Sequence, residues 1–275
     1  MQSGYFNTSD DAHLYYEVRG KGNTLLLLHG WQCSHVFWQR NVDVLAEDFC
    51  VVTLDLRGHG NSSKGLHGIT IKQFAKDVHD LIEYLELDKV VLMGWSMGGP
   101  ITLSYFKQYG AEHLNGLGLI DMTPFPFSPE YWNTQGLHGY NIDGFNAQMH
   151  KLIHDRLAYF ETFAANIFRD GKRPTETEWV IEEFKKLPPW ISTAIYSDYL
   201  SSDYTDVLPK ITLPTLVVNA NGPVFTDGIN QGKYIASQIP QGKFIPFTES
   251  GHMLFYEEAD KFNKLVKDFV LECNK

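Results

Sequence analysis

The stretch that decides the fold is Val90-Val91-Leu92-Met93-Gly94-Trp95-Ser96-Met97-Gly98-Gly99. A short apolar run leads into a G-x-S-x-G pattern, and a helical pattern follows. This order of strand, turn and helix is typical of a nucleophile elbow. Glycine two residues on either side of the serine lets backbones approach where a side chain would clash, and the strained turn exposes the hydroxyl. The pattern therefore predicts that Ser96 is a nucleophile.

Short apolar runs like this one recur along the chain. Each is apolar on both faces, and the segments between them are long enough for a helix, which predicts a parallel sheet with crossover helices. The polar alternation of His13–Val18 predicts instead an antiparallel strand at the edge of the sheet. The apolar runs are Thr24–Leu28, Cys50–Asp55, Lys89–Gly94, Leu117–Asp121 and Thr215–Asn219.

Helical patterns fall between and after these runs. The spacing of apolar residues predicts helices over Ile71–Leu85, after a cap at Thr70, over Met97–Gln108, and over Phe255–Cys273.

The alternation of strands and helices is interrupted between about residues 123 and 208. Pro188-Pro189-Trp190 breaks this segment, which predicts two helical groups joined by a rigid elbow. We interpret residues 123–208 as a helical cap inserted into an α/β core formed by residues 1–122 and 209–275. Part of its aromatic surface is expected to line an apolar pocket over Ser96. The aromatic residues of the cap include Phe145, Phe160, Phe163, Phe168, Trp179, Trp190 and Tyr196.

The composition is that of a globular protein with an acidic surface. Of 275 residues, 43% are hydrophobic and 20% are charged, and the formal net charge is −10. An acidic chain argues against nucleic-acid or anionic-membrane partners, because both attract basic patches. No apolar run approaches the roughly 20 residues that span a bilayer. The N-terminus has no leader-like pattern, and Cys33, Cys50 and Cys273 are too few for a disulfide framework, so we expect a cytoplasmic protein.

A serine hydroxyl is a poor nucleophile near neutral pH and needs an adjacent base. His252 is the candidate, since Ser250-Gly251-His252 comes between a strand pattern at Lys243–Pro246 and the last helix. A residue in such a loop lies above the carboxyl edge of the sheet. We therefore predict that His252 is the general base.

The third requirement is a pair of N–H groups directed at the developing oxyanion. One is expected from the backbone of Met97, directly after the nucleophile, where the helix N-terminus adds partial positive charge. The other is expected from the backbone of Trp31, which follows His29-Gly30 at the end of a strand. The side chains of Trp31 and Trp95 are then free to shape the pocket.

These motifs resemble those of the α/β-hydrolase superfamily, in particular its small cap-bearing esterases and non-haem chloroperoxidase-like members. The resemblance covers nearly the whole chain and implies an α/β-hydrolase fold with serine hydrolase chemistry. The turn that contains Arg57 and His59 resembles a structural element of the family, so His59 is given no catalytic role. In family order, the motifs are His29-Gly30-Trp31, Asp55-Leu56-Arg57-Gly58-His59-Gly60, Gly94-Trp95-Ser96-Met97-Gly98-Gly99 and Gly251-His252.

The acid of the expected triad is where the sequence departs from the family. In most relatives it is an aspartate just before a Pro-Val pair, but here that place reads Asn219-Ala220-Asn221-Gly222-Pro223-Val224. Some relatives have the acid after the preceding strand, where this chain has Asp121. Asp121 is therefore the first candidate and Asp227 the alternative. A chain with a weakened or missing acid is the third interpretation.

No cofactor or bound metal is expected. The sequence contains neither a phosphate-binding G-x-x-x-x-G-K-S/T loop nor a dinucleotide-binding G-x-G-x-x-G after a strand. His150 and His154 have the i, i+4 spacing of a helical metal site, but no third ligand or catalytic glutamate accompanies them. A solvated helix face is the simpler interpretation of this pair.

The expected reaction is hydrolysis of small to medium apolar carboxylic esters or lactones, through an acyl-enzyme on Ser96. The resemblance also implies a perhydrolase side activity, in which peroxide replaces water. Two alternatives stay open: a ligand receptor or signalling protein of this fold with slow turnover, and a cofactor-free oxygenase that uses the histidine and an aspartate like Asp121. The expected partner is a small molecule with an ester-like carbonyl, whose identity motifs do not determine.

Overall fold

Eight strands form one sheet in the computed structural model, which describes residues 2–134, 142–171 and 174–275, with the backbone alone at 174 and 175. The strands are β1 (Gln2–Asn7), β2 (His13–Arg19), β3 (Thr24–Leu28), β4 (Cys50–Leu54), β5 (Val90–Trp95), β6 (Leu114–Ile120), β7 (Thr215–Ala220) and β8 (Gly242–Phe247). Their order across the sheet is β1-β2-β4-β3-β5-β6-β7-β8. The β1–β2 and β2–β4 pairs are antiparallel, and the others are parallel.

The described residues also form ten α-helices. Two short 3₁₀ turns, at His35–Trp38 and Leu208–Lys210, accompany them. The helices are α1 (Val42–Leu45), α2 (Ile71–Tyr84), α3 (Gly98–Tyr109), α4 (Ile142–His154), α5 (Arg156–Asn166), α6 (Pro174–Lys185), α7 (Pro189–Ser201), α8 (Gly228–Gln238), α9 (Leu254–Glu257) and α10 (Ala259–Cys273).

The mostly parallel sheet predicted from the apolar runs is confirmed. β3 has the predicted bounds, and β6 begins at Leu114 instead of Leu117. The buried faces explain the pattern, because all five residues of β3 and all six of β5 are shielded from solvent. A strand covered by helices on both faces gains from apolar residues at every position.

The prediction that His13–Val18 lies at the edge of the sheet is wrong. β1 pairs with β2 along its whole length, from Gln2 opposite Val18 to Asn7 opposite His13, and is itself the edge strand. Phe6 is the one buried side chain of β1, and it packs near Tyr16 at 6.2 Å between ring centroids. A strand with one buried residue leaves almost no periodic signal in the sequence.

α2 illustrates how the sequence sets a helix. Thr70 caps it, since its hydroxyl accepts a hydrogen bond from the Gln73 N–H at 3.2 Å. This satisfies one of the N–H groups that lack a helical partner at an N-terminus. Buried residues then recur at the spacing of one helix face: Ile71, Phe74, Ala75, Val78, Leu81 and Ile82.

Four helices, α4–α7, lie between β6 and β7, and we refer to them as the cap helices. The predicted break is present, because α6 ends at Lys185 and α7 begins at Pro189. Proline cannot supply the N–H that would continue a helix. The boundaries of the cap at 123 and 208 stay a prediction. No helix in the described part of the chain is both long and apolar enough to cross a membrane.

The turn between β5 and α3 depends on a close backbone contact. A β-carbon on Gly94 would lie 2.0 Å from the carbonyl oxygen of Gly98 and 2.6 Å from Thr102 Oγ1. Between these two glycines, Ser96 has a φ of +54°, a region that residues other than glycine rarely adopt. The contact of α3 with β5 therefore holds the serine in a strained conformation.

We expect Gly94→Ala to reduce the free energy of unfolding by about 1–3 kcal/mol or more, because the methyl group would force the first turn of α3 away from β5. Urea denaturation followed by circular dichroism would measure the change. Gly65→Ala is the matched control, since a β-carbon on Gly65 would meet nothing within 4 Å. Equal stability of the two variants would contradict the close contact.

Candidate active site

Ser96 lies directly after β5 at the carboxyl edge of the sheet. Its N–H donates to the carbonyl oxygen of Ile120 at 2.9 Å, so the pairing of β5 with β6 extends to the serine. At a φ of +54° its side chain leaves the alternation of the strand and lines a cavity. Ser96 thus has the exposed position that an elbow gives to a hydroxyl.

His252 and Asp121 form a buried hydrogen bond. His252 Nδ1 donates to Asp121 Oδ2 at 2.6 Å, and the two side chains are 3% and 1% exposed. Asp121 Oδ1 accepts from the Ala220 N–H at 2.8 Å. With its proton on Nδ1, a neutral imidazole keeps Nε2 as an acceptor. Burial raises the pKa of the Asp121 carboxyl, and the hydrogen bond from His252 opposes that rise.

Asp227 lies elsewhere, at the N-terminus of α8. Its carboxylate accepts from Asn230 Nδ2 at 2.7 Å. In the loop after β7, Asn221 is also engaged with α8, because its side-chain oxygen accepts from the Ile229 N–H at 2.9 Å. Of the two candidate acids, the structure brings Asp121 to His252 and leaves Asp227 on the helix terminus.

The single helix predicted over Phe255–Cys273 is divided into α9 and α10, which corrects that prediction. Glu258 leaves helical geometry with a ψ of +50°. Its carboxylate accepts from Ser250 Oγ at 2.6 Å, and the carboxylate of Glu257 accepts from the Gly251 N–H at 2.7 Å. The interruption therefore directs two carboxylates to the loop that contains His252.

The two residues expected to supply the oxyanion hole, Trp31 and Met97, follow residues that lie at the site. Met97 follows Ser96 at the start of α3, and Gly30 is so close that a β-carbon on it would lie 3.5 Å from Ser96 Oγ. Neither the Trp31 N–H nor the Met97 N–H donates a hydrogen bond to another described residue. Both groups are therefore available to a negatively charged oxygen.

A cavity of about 430 Å³ opens above the serine. Ser96 and His252 line it together with Trp31, Trp95 and Phe225, and residues of α4, α5 and α7 contribute further lining. This volume lies within the roughly 300–1,000 Å³ range of small-molecule sites. Its cap-side lining includes Tyr159, Phe163, Ile167, Tyr196, Gln148 and Lys151.

The family of the α/β-hydrolase fold matches residues 23–259. The chain belongs to this family. The bifunctional esterase/perhydrolase DCH of Acinetobacter calcoaceticus is 26% identical over 97% of this chain and 99% of its own length. The non-heme chloroperoxidase CPO-A1 of Kitasatospora aureofaciens is 24% identical, with coverages of 96% and 98%. A bromoperoxidase from Bacillus anthracis has a similar structure, with a TM-score of 0.90, 25% identity and coverages of 98% and 99%.

These relatives confirm the fold class and the resemblance inferred from the motifs. The α/β-hydrolase has relatives named as esterases and as haloperoxidases, and both groups align over nearly its full length. Hydrolase chemistry is what the esterase-like relatives support for this chain.

Two further histidines, His29 and His59, are fully buried. Burial lowers the pKa of His29 to about 4, so its ring is neutral near pH 7. Its Nδ1 donates to the Gly30 carbonyl at 2.7 Å and its Nε2 accepts from the Leu56 N–H at 3.1 Å. His59, whose Nδ1 lies 3.1 Å from the Arg57 carbonyl, is also fully buried. Neither ring nitrogen of His29 is left to act as a base.

The other clusters of potential ligands lie away from Ser96. The rings of His150 and His154 on α4 are tilted by 38° to each other, with centroids 4.4 Å apart. Within the described residues, the group of three whose ligand atoms lie within 4.8 Å of one another is His79, Glu112 and His113. His113 Nε2 is already 2.6 Å from Glu83 Oε1. Glu112 and His113 precede β6, at the end of the strand opposite Asp121, and His79 is on α2. We interpret it as a surface ion-pair cluster.

The sequence contains no signal for Phe225 as a site residue, for the contact that holds Trp95, or for which aromatic residues of the cap line the cavity. The ring of Phe225 lies 5.5 Å from that of His252, and Trp95 Nε1 donates to the His252 carbonyl at 2.9 Å. Of the aromatic cap residues, Phe163 and Tyr196 line the cavity, whereas Trp190 is 61% exposed. These contacts join segments far apart in the chain, so only the folded structure identifies them.

The cap also reaches the His252 loop. The Met253 N–H donates to the Ile167 carbonyl, just after α5, at 3.0 Å. The loop passes so near the cap that a β-carbon on Gly251 would lie 2.6 Å from the backbone nitrogen of Arg169 and 2.9 Å from the carbonyl carbon of Phe168. Position 251 therefore favours glycine, because a side chain there would clash with the backbone of the cap.

We expect Gly251→Ala to displace the His252 loop from the cap and to lower the free energy of unfolding by about 1–3 kcal/mol, since backbone must move to admit the methyl group. Urea denaturation would measure the loss. Gly4→Ala is the control, because its β-carbon would make ordinary contact with Tyr16 at 3.5 Å. An unchanged unfolding midpoint for Gly251→Ala would contradict the close packing.

Proposed function

We propose that this protein hydrolyses small to medium apolar carboxylic esters or lactones through an acyl-enzyme on Ser96. The observation that carries the proposal is the 2.6 Å hydrogen bond between His252 Nδ1 and Asp121 Oδ2, in a cavity that Ser96 also lines. A buried carboxylate on the far nitrogen orients an imidazole and stabilises its protonated form. Esterase names among the relatives agree with this chemistry.

In the proposed reaction, Ser96 Oγ attacks the ester carbonyl while its proton passes to His252 Nε2. The backbone N–H groups of Trp31 and Met97 stabilise the oxyanion of the tetrahedral intermediate. The intermediate collapses, the bond to the alcohol oxygen breaks, and His252 returns the proton to the leaving alcohol. Water then repeats the sequence on the acyl-enzyme and releases the acid. Peroxide as acyl acceptor in place of water would give perhydrolysis.

The cavity supports an apolar substrate of modest size. Its walls near Ser96 are Trp31, Trp95 and Phe225, and Tyr196 stacks on Trp31 with ring centroids 4.2 Å apart. Polar groups such as Gln148 and Lys151 lie on the cap side. An ester whose acyl or alcohol part is apolar, with any polar end towards the cap, suits this lining.

We expect Ser96→Ala to abolish covalent labelling by a fluorophosphonate and nearly all turnover of p-nitrophenyl esters, because no other hydroxyl occupies the elbow. Mass spectrometry of the labelled protein and initial rates would measure both effects, with circular dichroism as the test of folding. Undiminished turnover by the folded variant would remove Ser96 from the mechanism. Labelling of the wild type without turnover of any ester would favour the slow, receptor-like alternative.

We expect Asp121→Asn to lower kcat by roughly 10³–10⁴, because an amide cannot stabilise the imidazolium as a carboxylate does. Asp227→Asn is the matched control, since Asp227 is paired with Asn230 at the end of α8. Steady-state kinetics on one ester would compare the two variants. A severe loss confined to Asp227→Asn would return the acid to the later loop.

A further inference from the structure

The loop that follows β3 is hydrogen-bonded to a cap helix. Trp31 Nε1 donates to the Ser192 carbonyl at 3.1 Å, and Gln32 Nε2 donates to Ser192 Oγ at 2.7 Å. All three residues are buried, and Gln32 and Ser192 are fully shielded from solvent. One residue of α7 therefore holds two consecutive residues of the loop that supplies the proposed oxyanion donor.

Gln32 needs this support. Its backbone has a φ of +68°, a strained region for a residue with a side chain. Its amide oxygen has no hydrogen-bond partner among the described residues, so Ser192 Oγ is the partner its side chain has. A buried amide that loses its last partner is strongly unfavourable and rearranges. A backbone rearrangement at Gln32 acts directly on Trp31, because the two residues share a peptide unit.

α7 is a fixed point for that loop. Asp198 on α7 accepts from the Ile71 N–H at the start of α2 at 2.7 Å. Ile191, the neighbour of Ser192, packs so closely on the core that a β-carbon on Gly58 would lie 2.7 Å from its Cγ2. The helix is thus attached to the α/β core on both sides of the loop contact.

We propose that Ser192 is a positioning residue, which sets the place of the Trp31 N–H in the oxyanion hole through its hydrogen bond to Gln32. The inference rests on the proposed function. An oxyanion donor acts only within about 2.7–3.1 Å of the charged oxygen, so a small displacement weakens it. The negative charge develops only in the transition state. Loss of the N–H donor that stabilises it therefore lowers kcat more than it changes KM.

The same helix also lines the substrate cavity, through Tyr196 and Tyr199. Tyr196 stacks on the Trp31 ring with centroids 4.2 Å apart. In this proposal α7 both contacts the substrate and positions the oxyanion donor. The helix is therefore part of the catalytic scaffold as well as a wall of the cavity.

The test compares ester kinetics of Ser192→Ala, Ser192→Thr and Ser201→Ala. Ser192→Ala is expected to lower kcat roughly 10- to 100-fold, somewhat less than the removal of a whole donor, with KM within about twofold. Ser192→Thr keeps the hydroxyl and restores most of kcat. Ser201→Ala, the same change on an exposed turn of α7, leaves both constants unaltered. A KM increase at constant kcat, or no change in kcat, would overturn the proposal.

A second variant covers the case in which Ser192→Ala does not fold. Gln32→Asn shortens the amide so that it no longer reaches Ser192 Oγ, and it is expected to give the same loss of kcat. Where both variants fold, the double variant should lose no more than either alone, because both remove one hydrogen bond. Additive losses would overturn the proposal. Wild-type protein that neither reacts with a fluorophosphonate nor turns over esters would instead reject the proposed function itself.

Discussion

The packing of α3 against β5 is the constraint on which the site depends. Gly94 lies so close to the Gly98 carbonyl that a β-carbon on it would be 2.0 Å from that oxygen, and between the two glycines Ser96 has a φ of +54°. Such a conformation persists because the surrounding structure determines it from both sides. The helix N-terminus that results lies next to the serine and adds its partial positive charge to the place where an oxyanion would form.

The parallel sheet explains why the other groups reach the serine. β5, β6 and β7 are neighbours and run in the same direction, so the residues after them lie at one edge. Asp121 follows β6, and its carboxylate accepts hydrogen bonds from the Ala220 N–H and from His252 Nδ1. A carboxylate after β6 can therefore form the hydrogen bond with the histidine. In the commoner pattern, the carboxylate that pairs with this histidine follows β7. Buried surroundings keep this carboxylate away from water, which strengthens its interaction with an imidazolium.

The cap helices are more than a cover. The end of α5 accepts a hydrogen bond from the Met253 N–H beside His252, and α7 holds the loop of Trp31 and Gln32 through Ser192. Both loops that border Ser96 are thus fixed between core and cap. Loops placed by a rigid scaffold are where proteins concentrate their chemistry, and here the cap forms part of that scaffold.

The sequence by itself determined the parallel sheet, the elbow at Ser96 and the loop position of His252, because apolar runs and glycine spacing are local signals. Tertiary structure decided the rest. The choice between Asp121 and Asp227 depends on a distance across 131 positions of the chain, which no local pattern contains. The edge role of β1 and the interruption at Glu258 also depend on partners far away in sequence. Ser192 is a further residue that the sequence could not single out. Its hydrogen bond to Gln32 exists only because folding brings the two residues together, since hydrogen bonds form between neighbours in space.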